Sequence, residues 1–381
     1  MKILHVNPYP PDHLGGSELF ARNLAINLAQ KENISCDILT SDIFQKKIKI
    51  ETLESSVRVF YKPCYYNLWG KNPVVHILKF LWKIHKKYDI IHAHSYIFFT
   101  SHQCALLKKL SDFPFVLHIH GGVDTPHFKN MSIREKTQLM LKNYVFDGML
   151  GRFTIKQADG IISVSQKDLE ILARKFNLSD RKTLYSVPNG IDIKKYKRNP
   201  KQERKYITFI GRLSYIKGID IFLEMSNALY ERDKNLRFLI VGDGALRSLV
   251  ENAKKRLPIK HLENVSYSKI QKIYNVSKVL LLSSRFEGLP TTILESLSCQ
   301  TPVIASNVGG VSEVLQEGKN GYLFNIGTKE RIYEKILDLL HDEEKLNLLG
   351  KNGRKLIEKD YSWRTIATEI KKIYRDILET F

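Results

Sequence analysis

The chain has 381 residues, 43% hydrophobic and 26% charged, with a formal net charge of +20. Its length exceeds the size at which one core usually stops growing, so two domains are expected, and its composition excludes a disordered chain. The four cysteines (Cys36, Cys64, Cys104 and Cys299) are scattered with no C-x-x-C pair, and no His cluster stands at metal-ligand spacing, so a reduced cytoplasmic setting fits and a disulfide or structural-zinc framework does not.

The opening, Met1-Lys-Ile-Leu-His-Val-Asn7, turns polar too early for a signal peptide. Short apolar segments then alternate with helical patterns from end to end, the signature of a parallel α/β architecture. In the first half the expected strands are Ile3–Asn7, Cys36–Thr40, Val57–Tyr61, Ile90–His94, Phe115–His120, Gly160–Val164 and Leu184–Val187. Helical periodicity occupies Ser17–Gln30, Val74–Tyr88, His102–Leu110, a long piece near Arg134–Gln157, and Lys167–Lys175. A second series begins after the basic, turn-prone segment Ile193–Arg204, with strands at Tyr206–Gly211, Arg237–Val241, Val265–Tyr267, Val279–Ser283 and Pro302–Ser306. That linker sets the expected boundary, with residues 1–195 in one domain and 196–361 in the other. Two doubly wound domains with their carboxyl-end loops facing each other would make a deep cleft, where such sheets bind ligands. No apolar run approaches the ~20 residues that span a bilayer.

The positive charge is unevenly placed: Ser55 to Phe146 holds 13 Lys and Arg against 4 Asp and Glu. A solvated surface, a nucleic-acid face and a face for anionic lipid all fit such an excess. No nucleic-acid module has its signature here, so nucleic acid is not expected as a partner. In Pro73–Tyr88 the residues Val74, Ile77, Leu78, Leu81 and Tyr88 share one helical face, with Phe80 and Trp82 beside it, while Lys79, Lys83, Lys86 and Lys87 form a basic stripe. A helix of this kind can lie in a headgroup layer or simply cover a core.

Five segments carry chemistry. Gly15-Gly-Ser-Glu18 follows the first strand; paired glycines let a backbone approach a phosphate, and Ser17 can cap the helix, although a bare turn and cap has the same look. It is not the G-x-G-x-x-G fingerprint, which argues against a nicotinamide-dependent oxidoreductase. Phe115-Val-Leu-His-Ile-His120 ends with His118 and His120 on one face by alternation, and only the following Gly121-Gly122 favours His120. Beyond the strand that opens the second series, Arg212 supplies a guanidinium fork and Lys217 a point charge from one loop, a pair suited to a diphosphate. Val241-Gly-Asp-Gly244 is a strand-end turn of the kind that edges a nucleotide pocket, or only a tight turn. The most informative segment is Glu287-Gly-Leu-Pro-Thr-Thr-Ile-Leu-Glu295, two carboxylates across a strand-to-helix turn whose free amides suit an anion.

The ordered set Gly15-Gly16, His120-Gly121, Pro188-Asn-Gly-Ile-Asp192, Gly211-Arg-Leu213 with Lys217-Gly218, Val241-Gly-Asp-Gly244, Glu287-x7-Glu295 and Gly309-Gly-Val-Ser-Glu313 resembles the family 4 (GT4) retaining glycosyltransferases, whose fold is GT-B. The likeness runs through nearly the whole chain. It implies two Rossmann-like doubly wound domains facing across a deep cleft, with the nucleotide-sugar donor held mainly by the C-terminal one. It also implies a terminal helix, residues 362–381, that packs back onto the N-terminal domain. By the same resemblance Arg212 and Lys217 hold the donor diphosphate and stabilise its leaving charge, Glu295 accepts from the ribose hydroxyls, and Glu287 binds the transferred sugar. Amides around Gly288 and Leu289 meet the sugar or phosphate, Gly211 and Gly242 line the donor site, Gly16 brings the N-terminal backbone to the phosphate, and His120 sits at the reacting edge.

The implied activity is a retaining, metal-independent hexosyl transfer from a UDP- or GDP-linked sugar to a glycan or lipid-linked acceptor. Such an enzyme works at the cytoplasmic membrane face, in cell-surface glycan or glycolipid biosynthesis, with no cofactor beyond its substrate. No Asp-x-Asp occurs in the chain, so the metal clamp of other glycosyltransferases lacks its usual ligands, and no covalent nucleophile stands out. A soluble acceptor (a sugar phosphate or a glucan) and a non-catalytic nucleotide-sugar binding protein are the alternatives.

Overall fold

The computed structural model describes residues 1–13, 15–43, 48–54, 56–68, 72–123, 137, 140, 142–178 and 183–381. The chain divides into two compact units, Met1–Gly190 with Trp363–Phe381, and Ile191–Ser362. The units part at Gly190, ahead of the 195/196 boundary expected from the basic linker, because the linker's start is already tied into the second unit. The Ile191 amide donates to the Tyr361 carbonyl at 2.8 Å, and Tyr196 is wholly buried.

In the first unit the strands are β1 (Lys2–Val6), β2 (Ser35–Asp42), β3 (Lys49–Leu53), β4 (Val57–Leu68), β5 (Asn72–Val75), β6 (Ile90–His94), β7 (Phe115–Ile119), β8 (Gly160–Ser163) and β9 (Leu184–Ser186). Their order is β3-β4-β2-β1-β6-β7-β8-β9, with β5 paired to β4; β3 and β5 run antiparallel to β4 and the other pairs are parallel. The chain winds outward in both directions from the junction of β1 and β6. Alternation assigns each central strand to two cores. Leu4, Val6, Ile91, Ala93 and Leu117 belong to one, and Ile3, Ile90 and Val116 to the other.

The second of these cores is closed by the helices Gly16–Lys31 and Trp363–Thr380. The terminal helix buries Ile366, Ile370, Ile373 and Ile377, each contributing about 1.5–3 kcal/mol of burial. Its Trp363 ring lies 5.4 Å from that of Phe20, and Lys371 Nζ reaches Glu32 Oε2 at 2.9 Å. The terminal helix therefore packs within the N-terminal unit.

The second unit is a parallel six-stranded sheet: β10 (Tyr206–Ile210), β11 (Arg237–Val241), β12 (Ile259–Leu262), β13 (Ser277–Leu282), β14 (Val303–Ser306) and β15 (Gly321–Phe324). Its order β12-β11-β10-β13-β14-β15 reverses direction between β10 and β13. Both units are thus α/β with Rossmann-like parallel sheets, as expected.

Four local readings are corrected. The single helix expected over Val74–Tyr88 is a strand, β5, then a helix Leu78–Ile84 and a 3-10 turn His85–Lys87. Val74 and Val75 pair with Tyr66 and Cys64, and the Gln103 side chain accepts from the amides of Ile77 and Leu78, fixing the helix start there. The strand expected at Val265–Tyr267 lies instead at Ile259–Leu262, an edge strand whose Lys260 and His261 hide it from an apolar scan. Ser17 lies inside its helix rather than capping it: Gly15 is the cap position, and Ser17 Oγ donates to Glu18 Oε2 at 2.8 Å. The long helix expected near Arg134–Gln157 is helical where described but not one α-helix: Lys142–Gly151 is π-helical before the short helix Arg152–Gln157, and residues 134–136, 138, 139 and 141 lie outside those described.

Candidate active site

The charged site is built at the carboxyl ends of β10, β11 and β13, around the point where the second sheet reverses direction. This is the position at which open α/β sheets bind ligands. After β10 the chain turns through Gly211 and Arg212 and reaches Lys217 ahead of the helix Ile219–Arg232. The turn is stitched to the β11 loop: the Gly211 amide donates to the Val241 carbonyl at 3.0 Å and the Leu213 amide to the Asp243 carbonyl at 2.9 Å. Gly218 has φ 66°, and a side chain there would run into the Ser283 backbone carbonyl. That close approach brings the Lys217 loop down onto the residues that follow β13.

Lys217 Nζ donates to both oxygens of Glu287, at 2.7 and 2.8 Å. Ser284 Oγ donates to Glu287 Oε1 at 2.6 Å, and Glu287 itself is buried. Gly309, at φ 51°, presses against the Glu287 carbonyl, and the Gly310 amide donates to the Gly288 carbonyl at 2.8 Å, so a second loop braces this turn. The helix Thr291–Ser298 begins after Pro290 with no side-chain cap, which leaves first-turn amides available for an anion. Glu295, on that helix, is buried and accepts from Tyr274 Oη at 2.5 Å. Burial raises its carboxyl above the usual range, against the lowering effect of the tyrosine hydrogen bond. The Arg212 side chain is exposed.

Of the residues singled out in the sequence, the structure pairs Lys217 with Glu287 directly and sets Gly211, Arg212, Gly242, Gly288 and Leu289 on the same strand-end loops. Ser284 and Tyr274 were missed. Both are common polar residue types whose partners lie 3 and 21 positions away, and neither carries a local motif.

In the first unit, His120 lies one residue past β7 and Gly16 opens the helix that follows β1. His120 is not an isolated strand-end histidine. Register sets His5 beside His92 and His94 beside His118, and alternation turns these rings to the face covered by Phe20, Trp363 and Tyr374. Five imidazoles therefore meet, a cluster that the expectation of no His cluster at metal-ligand spacing did not include. Its signal in the sequence was His-x-His at 92–94 and again at 118–120, two strands whose pairing no linear spacing reveals. His5 Nδ1 lies 3.2 Å from His94 Nε2, His94 Nδ1 lies 3.0 Å from His120 Nε2, and His92 Nδ1 lies 2.6 Å from Tyr374 Oη. Burial holds His5 and His120 down to about 3 and the other three well below the ordinary imidazole value.

Lys79, Lys83, Lys86 and Lys87 are exposed, as is Trp82 at 54%. Ile77, Leu81 and Tyr88 are buried in the core of the unit, so the apolar face of this segment covers that core rather than facing outward. No helix among the described residues is long and apolar enough to cross a membrane.

Comparison with known proteins gives the class. The family model "Glycosyltransferase Family 4" matches residues 14–195 and "Glycosyl transferases group 1" matches residues 191–356. An uncharacterised glycosyltransferase of Methanocaldococcus jannaschii is 28% identical over 99% of this chain and 99% of its own length. The UDP-Gal:alpha-D-GlcNAc-diphosphoundecaprenol alpha-1,3-galactosyltransferase of Escherichia coli is 26% identical over 86% of each chain. Among solved structures, Anabaena HepE in complex with UDP superposes with a TM-score of 0.75 at 19% identity, covering 99% of this chain and 100% of that one. The chain belongs to the GT4-type glycosyltransferases of the GT-B fold.

Proposed function

We propose that the protein is a retaining glycosyltransferase that moves a sugar from a UDP- or GDP-linked donor to a glycan or lipid-linked acceptor, at the cytoplasmic face of the membrane. The observation that carries this reading is the Lys217 ammonium held on both oxygens of Glu287 beside an uncapped helix start, at the reversal point of the second sheet. In this reading Lys217 and Arg212 bind the donor diphosphate, with help from the backbone at Gly211, Gly242, Gly288, Leu289 and Gly16. Glu287 takes the sugar hydroxyls and Glu295 the ribose hydroxyls. His120 contacts the transferred sugar.

Chemistry follows from charge. As the bond from the anomeric carbon to the donor phosphate oxygen breaks, negative charge grows on the diphosphate, and preorganised cations and amides stabilise it. The acceptor oxygen attacks the same face of the sugar, and its proton passes to the departing phosphate oxygen. Arg212 and Lys217 take the place of a metal clamp in this scheme.

The E. coli relative, whose name specifies a diphosphoundecaprenol acceptor, supports a lipid-linked substrate, and the HepE complex supports a uridine donor. The exposed lysines of the Leu78–Ile84 region and Trp82 support contact with an anionic membrane surface. That contact is electrostatic, since the apolar face is committed to the core. A soluble acceptor is the second reading, and it makes these lysines incidental.

The test is transfer from a panel of UDP- and GDP-sugars to an undecaprenyl-diphosphate sugar, with the product anomer read by NMR. Retention of the donor's anomeric configuration is expected. An inverted product, or no transfer from any donor, would overturn the reading.

A further inference from the structure

The imidazole column of the first unit has more nitrogen than it uses. His5 Nε2, His92 Nε2, both nitrogens of His118, and His120 Nδ1 are buried and have no hydrogen-bond partner among the described residues. Each buried polar atom left so costs about 1–3 kcal/mol. Five in one place call for a specific explanation, of which a bound ion is one. Their positions on the sheet are otherwise core positions, next to Ile3 and under Phe20, where leucine or valine would carry no such penalty.

We propose that His94, His118 and His120 form a binding site for a transition-metal ion of borderline softness, such as Zn2+. One ring nitrogen from each of the three lies within 4.8 Å of the others. The His94 Nδ1 to His120 Nε2 separation of 3.0 Å is close to the spacing of two ligands each about 2.0–2.1 Å from one zinc. Three imidazoles with a fourth position left for water match a known zinc donor set, whereas Mg2+ and Ca2+ require oxygen ligands.

Proton bookkeeping closes without losing charge. In the metal-free protein His94 carries its proton on Nε2, donating to His5 Nδ1 3.2 Å away, and His120 carries its proton on Nε2, donating to His94 Nδ1. On binding, the His120 proton moves to its own Nδ1 and His94 keeps its tautomer, so no proton is lost. Both then present lone pairs to the ion as neutral rings, and His5 becomes the outer partner that orients a ligating histidine. The site uses none of the diphosphate cations Arg212 and Lys217 and shares only His120 with the proposed sugar contact, and zinc binding is measured without the transfer reaction.

The experiment is calorimetric titration of the untagged, chelator-treated full chain with Zn2+ and Mg2+, with Co2+ absorption and zinc-edge X-ray absorption as structural readouts. We expect one equivalent of Zn2+ bound at or below about 1 µM, no Mg2+ binding at the same concentrations, and imidazole scattering at the zinc edge. His118→Gln and His94→Gln, each checked for folding by circular dichroism, should weaken Zn2+ by at least about 100-fold, and His5→Gln by about 10-fold. Absence of stoichiometric binding to the wild type, a zinc edge without imidazole scattering, or wild-type affinity in the folded variants would overturn the proposal. The wild-type measurements decide the question even if both ligand variants fail to fold.

Discussion

The two sheets share a winding pattern and put opposite chemistry on it. In the second unit the loops after β10 and β13 carry full charges, paired across the reversal point as Lys217 and Glu287. In the first unit the strands β1, β6 and β7 carry neutral rings, packed against Phe20 and stacked along the sheet face. The difference teaches where each kind of group can live. Charges sit on loops, where glycine turns and amides solvate them, and the lysine of this pair stays part-exposed. Imidazoles can occupy the sheet face itself because they lose their charge there, as their depressed proton affinities record.

Breaking the charged pair should have the largest effect. Lys217→Ala and Glu287→Ala are each expected to lower kcat by about 100–1,000-fold with the fold intact. Each removes one member of a pair that the proposed mechanism uses for the leaving charge and the sugar. Steady-state kinetics with the best donor from the panel would check this, and near-wild-type turnover in either variant refutes the assigned roles.

The neutral column is probed by Tyr374→Phe. That change removes the hydrogen bond to His92 Nδ1 and leaves both nitrogens of a buried ring unpaired. A loss of about 1–3 kcal/mol is expected from urea unfolding; a midpoint equal to wild type would mean that the ring finds another partner.

A smaller, pH-dependent effect should come from Glu295. Its folded-state proton affinity is raised by burial, so the folded protein holds a proton that the unfolded chain has already released. The associated stability is present below the unfolded carboxylate value of about 4.3 and declines as pH rises through the higher folded value. Glu295→Gln does not titrate, so its melting temperature should gain on wild type between acid and neutral pH. A constant gap across that range contradicts the shift.

The smallest effect sharpens the contrast at the surface. Changing Lys79, Lys83, Lys86 and Lys87 to Glu should abolish flotation with anionic liposomes while leaving turnover of a water-soluble acceptor nearly unchanged. Flotation equal to wild type removes the membrane contact.

How much of this was legible in the sequence follows from the same contrast. Central strands such as Ile90–His94 and Arg237–Val241 could be read to the residue, because burial on both faces demands mostly apolar residues without turn-formers. The edge strands of the second sheet could not: β12 carries Lys260 and His261, and β15 is four residues beside a glycine turn. The charged site was readable because its residues lie in short local segments, Gly211 to Gly218 and Glu287 to Glu295. The histidine column was not, since His5, His92 and His118 are far apart in the chain and meet only through strand register. The basic segment left two readings open for a related reason. An apolar face at helical spacing looks the same whether it meets lipid or Phe60, and here Phe80 lies 5.5 Å from that ring.

Isothermal titration of nucleoside diphosphates into the wild type, Lys217→Ala and Glu295→Ala tests most directly whether the cations and carboxylates of the second sheet serve one nucleotide. Saturable binding of UDP or GDP is expected, weakened about 10- to 100-fold in each variant. Equal affinity across all three proteins would contradict it.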